Sequence, residues 1–327
     1  MTGTKPLVRK SNFELLRLLA MFLIVLYHIF IGTYEANPDF ASRSLWIPLH
    51  LGVPVFILIS GYFHIKFSWS KFLKLVAVLF VYTIGIQVIG TLLGGKNYFL
   101  ILFISRSPYW FMTVYLMLFV LAPFINKVLE SITIKEEVLL VIILAIISMY
   151  IGGFQNFEAY ATGKNVLNFV LIYAIGDLLH KNEEKLVKIP TWALIVAFVA
   201  LNVMEVVAYD FVPSSHIKVA IWKFCFPYNS PLLLINAILL FAVFSRINIS
   251  SRWINWAAGS CLGIYMLHHH PVIDEKLSIL SNSIIDSYSQ NNTILLFVAL
   301  AIVVVIACIF IDKIVEYPIG KLFSKKK

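Results

Sequence analysis

A basic side chain and an imidazole share one face of the first apolar segment. Arg17 and His28 lie eleven residues apart within Phe13–Ile31. Eleven residues come close to whole turns of a 3.6-residue helix, so the two side chains fall within about 20° of each other. The rise of about 1.5 Å per residue separates them by roughly 16 Å along the axis, about half the hydrocarbon thickness of a bilayer. An arginine at the centre of such a helix costs about 2.5–3.5 kcal/mol on insertion scales, and less near the end, where it snorkels. Residues this costly usually face a protein interior or a wet cavity, which marks them as functional candidates. Histidine adds the ability to give or take a proton near neutral pH. Glu14, three residues before Arg17, belongs to the same stripe. Glu35 would extend it only if the helix continued through Gly32, which glycine's poor helix propensity argues against.

Composition sets the class of the elements that must hold these residues. Hydrophobic residues make up 60% of the 327 and charged residues 13%. The mean hydropathy is +0.88, far outside the soluble range. The chain therefore reads as an all-α integral membrane protein. Ten spans are expected, near 13–32, 47–65, 72–94, 109–126, 136–153, 165–180, 190–208, 230–246, 254–270 and 292–312. Several fall short of the roughly 20 residues that a straight span needs. The first stretch is long and carries Arg17 within it, so no cleavable signal peptide is expected.

With ten spans, 19 of the 26 Lys and Arg residues fall on one side. The positive-inside bias then places both termini in the cytoplasm, with Arg17 near the inner end of its helix and His28 near the outer end. The net charge of +9 follows from that bias and from contact with anionic lipid, not from nucleic acid. Cys225, Cys261 and Cys308 are scattered in apolar contexts and read as small hydrophobes, forming neither a disulfide framework nor a metal spacing. The longest polar segments, around Tyr209–Asn229 and His270–Asn291, are too short to be domains. A single membrane domain over 1–327, with no appended soluble domain, is the expected organisation.

The residues also carry a resemblance. Ser11-Asn12-Phe13-Glu14-Leu15-Leu16-Arg17-Leu18-Leu19-Ala20, followed by His28, resembles the opening of the type-three membrane acyltransferase family (acyltransferase family 3). That family opens with a basic residue, ten intervening positions and a histidine. Gly52-Val53-Pro54-Val55-Phe56 through Ser60-Gly61-Tyr62-Phe63 is similar to its second-helix signature. Lys71 and Lys74 match the basic pair that follows, where the family often has Arg. Tyr109-Trp110-Phe111, with Pro123 later, resembles its mid-chain Trp-Phe helix. Gly259-Ser260 to Tyr265-Met266-Leu267-His268, and Val315-Glu316-Tyr317-Pro318, are similar to its closing motifs. The likeness runs from about residue 11 to 320, and it is the order of the set that makes it specific. It implies an O-acyltransferase that moves an acyl group, commonly acetyl from acetyl-CoA, to hydroxyls of cell-surface sugars or lipid-linked polysaccharide. A bacterial cytoplasmic membrane is the implied location, with acetyl-CoA as donor and no permanently bound cofactor.

Acyl transfer to a hydroxyl needs a base near neutral pH, and His28 is placed to be one. A positioned base supplies about 10²–10⁴-fold, or roughly 3–5.5 kcal/mol of barrier. The same imidazole can instead accept the acyl group covalently and relay it outward, or merely hydrogen-bond another helix. Coenzyme A is polyanionic and cytoplasmic, so it needs cations on the inner side. Arg17, Lys71 and Lys74 are the candidates, and the two lysines share a helix face at i and i+3. Ordinary positive-inside charge is the competing account of the lysines.

Ser60, Tyr62, Trp110, Tyr265 and His268 are the candidates for binding the acceptor. Tyr265 and His268 point the same way and either touch the sugar or orient His28, while an interfacial aromatic belt also accounts for Tyr265. Gly52, Pro54 and Ser60-Gly61 permit either close packing or a helix break. Glu316 with Asp312, at i and i+4, either pairs the basic tail or contacts the donor site. The run His268-His269-His270 suggests a metal, but no acidic or Cys partner has fitting spacing. The alternative class is a proton-coupled glycolipid or polysaccharide transporter or flippase using Arg17, His28 and Glu14 as a relay. Such transporters usually show two similar halves, and no internal repeat links the two sets of five spans.

Overall fold

Apolar runs and their polar flanks decide where each helix starts. In the computed structural model the described residues are 10–34, 48–92, 108–150, 162–211 and 227–323, and helix is their only extended regular element. The helices are α1 (Ser11–Tyr34), α2 (Gly52–Tyr62), α3 (Trp69–Leu92), α4 (Trp110–Ser131), α5 (Ile134–Met149), α6 (Val166–Lys181), α7 (Glu183–Lys188), α8 (Thr191–Phe211), α9 (Pro231–Ser245), α10 (Arg252–Ala258), α11 (Cys261–His268), α12 (Pro271–Ser287) and α13 (Gln290–Phe323).

Side-chain caps satisfy free N–H groups at several helix starts, though not at α2, α4, α7 or α11. Thr133 and Glu136 form a reciprocal capping box at α5. The Thr133 backbone N–H and hydroxyl both donate to the Glu136 carboxylate. Asn165 caps α6, and Ser230 caps α9 with Pro231 in its first turn. Ser251 caps α10, and His270 caps α12 with Pro271 following.

Helical structure falls in each of the ten apolar segments. Among the described residues four stretches are long and apolar enough to cross a membrane: Ser11–Ile31, Trp69–Leu92, Trp110–Ser131 and Asn291–Gly320. Gly52–Tyr62, Thr191–Glu205 and Pro231–Ser245 are shorter apolar helices. Large apolar side chains stand exposed along α3, α8 and α13, among them Ile84, Val199 and Phe310, as on lipid-facing surfaces.

Three features depart from the sequence reading. Helix α1 passes through Gly32 to Tyr34. Glycine's cost of about 1 kcal/mol is small beside the burial of Ile29 and Phe30 just before it. Glu35 lies outside the described residues. The ninth apolar segment is two helices, α10 and α11, meeting at Gly259-Ser260. The polar stretch after His270 is largely helix, because α12 has its own cap and an apolar face laid against α1.

Helix α1 is the hub, packing against α2, α9, α10, α11, α12 and α13. Helices α2 and α6 approach each other closely, and glycine explains why. A Cβ on Gly61 would sit 2.0 Å from the Tyr173 carbonyl oxygen, and one on Gly176 would sit 2.4 Å from the Leu58 carbonyl oxygen. Gly61 thus serves close packing rather than a break. The turn after α2 is fixed by polar contacts. The Tyr173 hydroxyl accepts from Ile65 N–H at 2.8 Å and donates to Asn126 at 2.7 Å, while the Asn126 amide donates to the Ile65 carbonyl at 3.1 Å. His64, at φ +55°, reaches the buried Asp177 carboxylate. Lys181 bridges Asp177 and Glu137 at 2.8 and 2.7 Å. Both carboxylates are buried and share that cation, which joins α5 and α6 to the turn.

Candidate active site

Two adjoining clefts, the second of them walled by α1, lie near a histidine cluster that includes His28 of α1. The first cleft, about 290 Å³, opens between α3, α4, α11 and α13. On α3 its lining is Lys71, Lys74, Leu75, Val78 and Tyr82, at steps of i, i+3, i+4, i+7 and i+11. Across it stand Asp312, Glu316 and Ile319 of α13. The Lys74 ammonium lies 3.2 Å from Glu316, and Lys313 lies 3.9 Å from the same carboxylate. The Lys71 ammonium donates to the Lys66 carbonyl at 3.2 Å. Deeper in, the Tyr82 hydroxyl donates to buried Asp312 at 2.5 Å.

The second cleft, about 300 Å³, shares Leu75, Tyr115 and Leu262 with the first. Its lining includes Arg17, Met21 and Ile24 of α1, Phe56 and Ser60 of α2, Cys261 and Tyr265 of α11. Arg17 Nη1 donates to both carboxylate oxygens of Glu14, at 3.1 and 3.3 Å, with about a third of the Arg17 side chain exposed (34%). The pair is a helical i, i+3 contact, so Glu14 orients the guanidinium at the cleft wall. The Ser60 hydroxyl donates back to the Phe56 carbonyl at 2.8 Å.

Tyr265, in the wall of the second cleft, borders a cluster of imidazoles. The Tyr265 ring centroid is 6.1 Å from that of His268 and 5.8 Å from that of His269. His28 Nδ1 lies 2.9 Å from His268 Nε2, and His268 Nδ1 lies 2.6 Å from the Ile264 carbonyl oxygen. The His28 and His269 rings stack in parallel, 3.9 Å apart at 7°. Stacked rings point their nitrogens along their own planes instead of converging on an ion. Among the described residues no group of three His, Cys, Asp or Glu side chains is arranged to hold a metal. Two backbone contacts pin residues 108–109 over the cluster: the Tyr109 hydroxyl donates to Met266 O at 2.9 Å, and the Tyr265 hydroxyl to Pro108 O at 3.2 Å.

The far side of His28 is aromatic and cationic. Lys164 places its ammonium 5.1 Å from the Trp110 ring centroid, and Tyr228 lies 5.3 Å from the same ring. His50 lies between Tyr228 and Tyr27, at 6.0 and 4.6 Å. Lys164 and His50 are within electrostatic range of His28. Flat rings beside an ammonium suit a hydroxyl-rich, polar ligand with apolar faces.

The structure brings Arg17, Ser60 and Tyr265 together in one cleft, Lys71, Lys74 and Glu316 in the next, and His28 with His268 just beyond. Trp110 is near this group on the Lys164 side. Tyr62 is elsewhere. Its ring is buried among Phe13, Phe63, Phe241 and His180, at 4.9 to 5.2 Å, and lines neither cleft. Glu316 pairs with Lys74 and Lys313 at the first cleft rather than serving only the tail, whose last residues lie outside those described. Sequence reasoning passed over Tyr82 and Lys164. Tyr82 carried a usable signal, since it follows Lys71 by the same eleven residues that separate Arg17 from His28. Lys164 carried none.

A family model described as an acyltransferase domain, acyltransferase family 3, matches residues 10–313 of the chain. No curated protein and no solved structure matches it.

Proposed function

The chain belongs to acyltransferase family 3 and is an acyltransferase, and from that premise we propose that it moves an acyl group from cytoplasmic acyl-CoA to a hydroxyl of a cell-surface or lipid-linked glycan. The observation that carries this reading is the adjacency of two clefts, the second walled by α1, to the His28–His268 pair. A mouth where Lys71 and Lys74 face Asp312 and Glu316 adjoins a cleft walled by Arg17 and Tyr265, and Tyr265 stands beside the His28–His268 pair. The phosphates of the nucleotide match the two lysines of the mouth, and the narrow pantetheine arm, with its short methylene stretches between amides, fits between the Met21, Ile24 and Leu75 walls of the second cleft. The phosphates then stay at the inner surface while the thioester reaches the imidazoles. The Trp110–Tyr228 rings and Lys164 receive the acceptor from the other side.

In this scheme His28 is the reacting group, as base or as covalent carrier. As base, it takes the acceptor hydroxyl proton while the oxygen–acyl bond forms and the carbon–sulfur bond breaks. The proton then passes to the leaving thiolate. As carrier, its nitrogen attacks the thioester carbonyl and expels the CoA thiolate as the carbon–sulfur bond breaks. The acceptor hydroxyl then displaces the imidazole from the acyl carbon, its proton passing to the thiolate. Incubating purified protein with acetyl-CoA, with and without candidate glycans, tests the function directly. Glycan-dependent release of free CoA with acetyl on the glycan is the expected result. Release of CoA to water alone, or none with any glycan, overturns it.

The scheme also requires a donor site inside and an acceptor site outside. Ten crossings with both termini in the cytoplasm fit the bias of cations to one side. Reporter fusions are expected to place both termini and the Lys66–Lys74 connection in the cytoplasm. Fusions in Thr33–Trp46 and His270–Asn291 are expected to report outside. Termini on opposite sides would sink the arrangement.

A further inference from the structure

The hydrogen bonds around His28 determine which of its two nitrogens reacts. A carbonyl oxygen only accepts, so the 2.6 Å contact at Ile264 requires the proton of His268 to be on Nδ1. A neutral His268 then has a lone pair on Nε2, and the 2.9 Å contact requires His28 to donate to it from Nδ1–H. His28 is left with its lone pair on Nε2, which makes no hydrogen bond among the described residues. The ring is only partly buried, whereas His268 is wholly buried.

We infer that His268 is a positioning residue that locks His28 in the Nδ1–H tautomer, so that Nε2 is the atom that takes the proton or the acyl group. The inference rests on His28 being the reacting imidazole of the proposed transfer. It deepens that reading by giving His268 a role other than sugar contact. The alternative tautomer puts the proton on Nε2, where it blocks both routes. A base with its lone pair occupied accepts no proton, and a protonated ring nitrogen forms no acyl bond. The pair works as a carboxylate does behind a catalytic histidine, holding the ring and its proton, with a helix carbonyl as the final anchor. The chain from Ile264 through His268 also spreads the charge that develops on His28 when Nε2 becomes protonated. Stacked His269 and the packed Tyr265 limit rotation of the rings.

Substitution at position 268 separates orientation from binding. His268→Ala is expected to lower kcat about 10²-fold. KM for acyl-CoA and for the acceptor is expected to change by no more than about two-fold. His268→Gln sets an amide oxygen near the former Nε2 position, where it accepts from His28 Nδ1–H, and is expected to recover about ten-fold or more of that loss. Equal rates for the Gln and Ala variants overturn the inference. So does a raised acceptor KM at unchanged kcat, which would make His268 a sugar contact. A second measurement needs neither turnover nor a variant. In ¹⁵N-histidine-labelled wild-type protein in lipid, His28 is expected to show a protonated Nδ1 and a bare Nε2. The opposite pattern overturns the inference even if the enzyme is active, and absence of transfer with the expected pattern would strike the acyltransferase reading instead.

Discussion

His28→Ala is expected to lower acyl transfer by about 10²-fold or more. Expression and insertion should be unchanged, because the substitution removes a polar group from an apolar helix whose other neighbours stay packed. The size follows from the role, since losing either a base or a covalent carrier removes the step that activates the hydroxyl or the acyl group. The check is initial-rate acetyl transfer by matched amounts of folded protein. His28→Gln tests whether a hydrogen bond to His268 is sufficient, and near-normal transfer in that variant would reduce His28 to a structural residue. Trapping labelled acetyl on the wild-type protein but not on His28→Ala would select the covalent route. If no label is trapped while transfer proceeds, base catalysis is the simpler account. A proton-relay transporter would instead lose export and release no CoA in any variant.

What was legible in the sequence was mostly local. The eleven-residue step from Arg17 to His28 held because helical periodicity depends only on neighbouring residues. The ten apolar segments were legible for the same reason, each being long enough to show as a run. The partner of His28 was not. His268 lies 240 residues away, and the contact exists only because α11 packs against α1. Spacing put Tyr265 and His268 on one face of a helix, yet nothing in it said which helix that face would meet. Tyr62 shows the opposite failure. It sits in a motif with Ser60, but two residues of helix turn the side chains about 200° apart, so Ser60 faces the cleft and Tyr62 the aromatic cluster around Phe13. The continuation through Gly32 depends on tertiary packing, which overrides glycine's local preference, whereas the break at Gly259-Ser260 follows that preference.

Removing the cations of the two clefts is expected to weaken the donor rather than slow the chemistry. A charge-assisted hydrogen bond is worth about 1.5–3 kcal/mol, so Arg17→Ala or the Lys71→Ala/Lys74→Ala pair should raise the acyl-CoA Kd by about 10- to 150-fold. Dephospho-CoA thioesters test the cause. A lost cation and a lost phosphate are not additive when they face each other, so the phosphate-poor donor should lose less in the variants than in the wild type. Equal losses for both donors would assign these residues to folding or orientation. Glu316 gives a change of opposite sign. Its carboxylate holds the Lys74 ammonium at 3.2 Å, with both side chains more than a third exposed, 37% for Lys74 and 39% for Glu316. A pair that exposed contributes at most about 1 kcal/mol, so Glu316→Gln is expected to free Lys74 and tighten acyl-CoA by up to about five-fold. That gain should vanish when Lys74 is already alanine. Weaker binding in Glu316→Gln would mean that the carboxylate itself holds the donor, through the adenine or the pantetheine, and that the lysine is positioned by it.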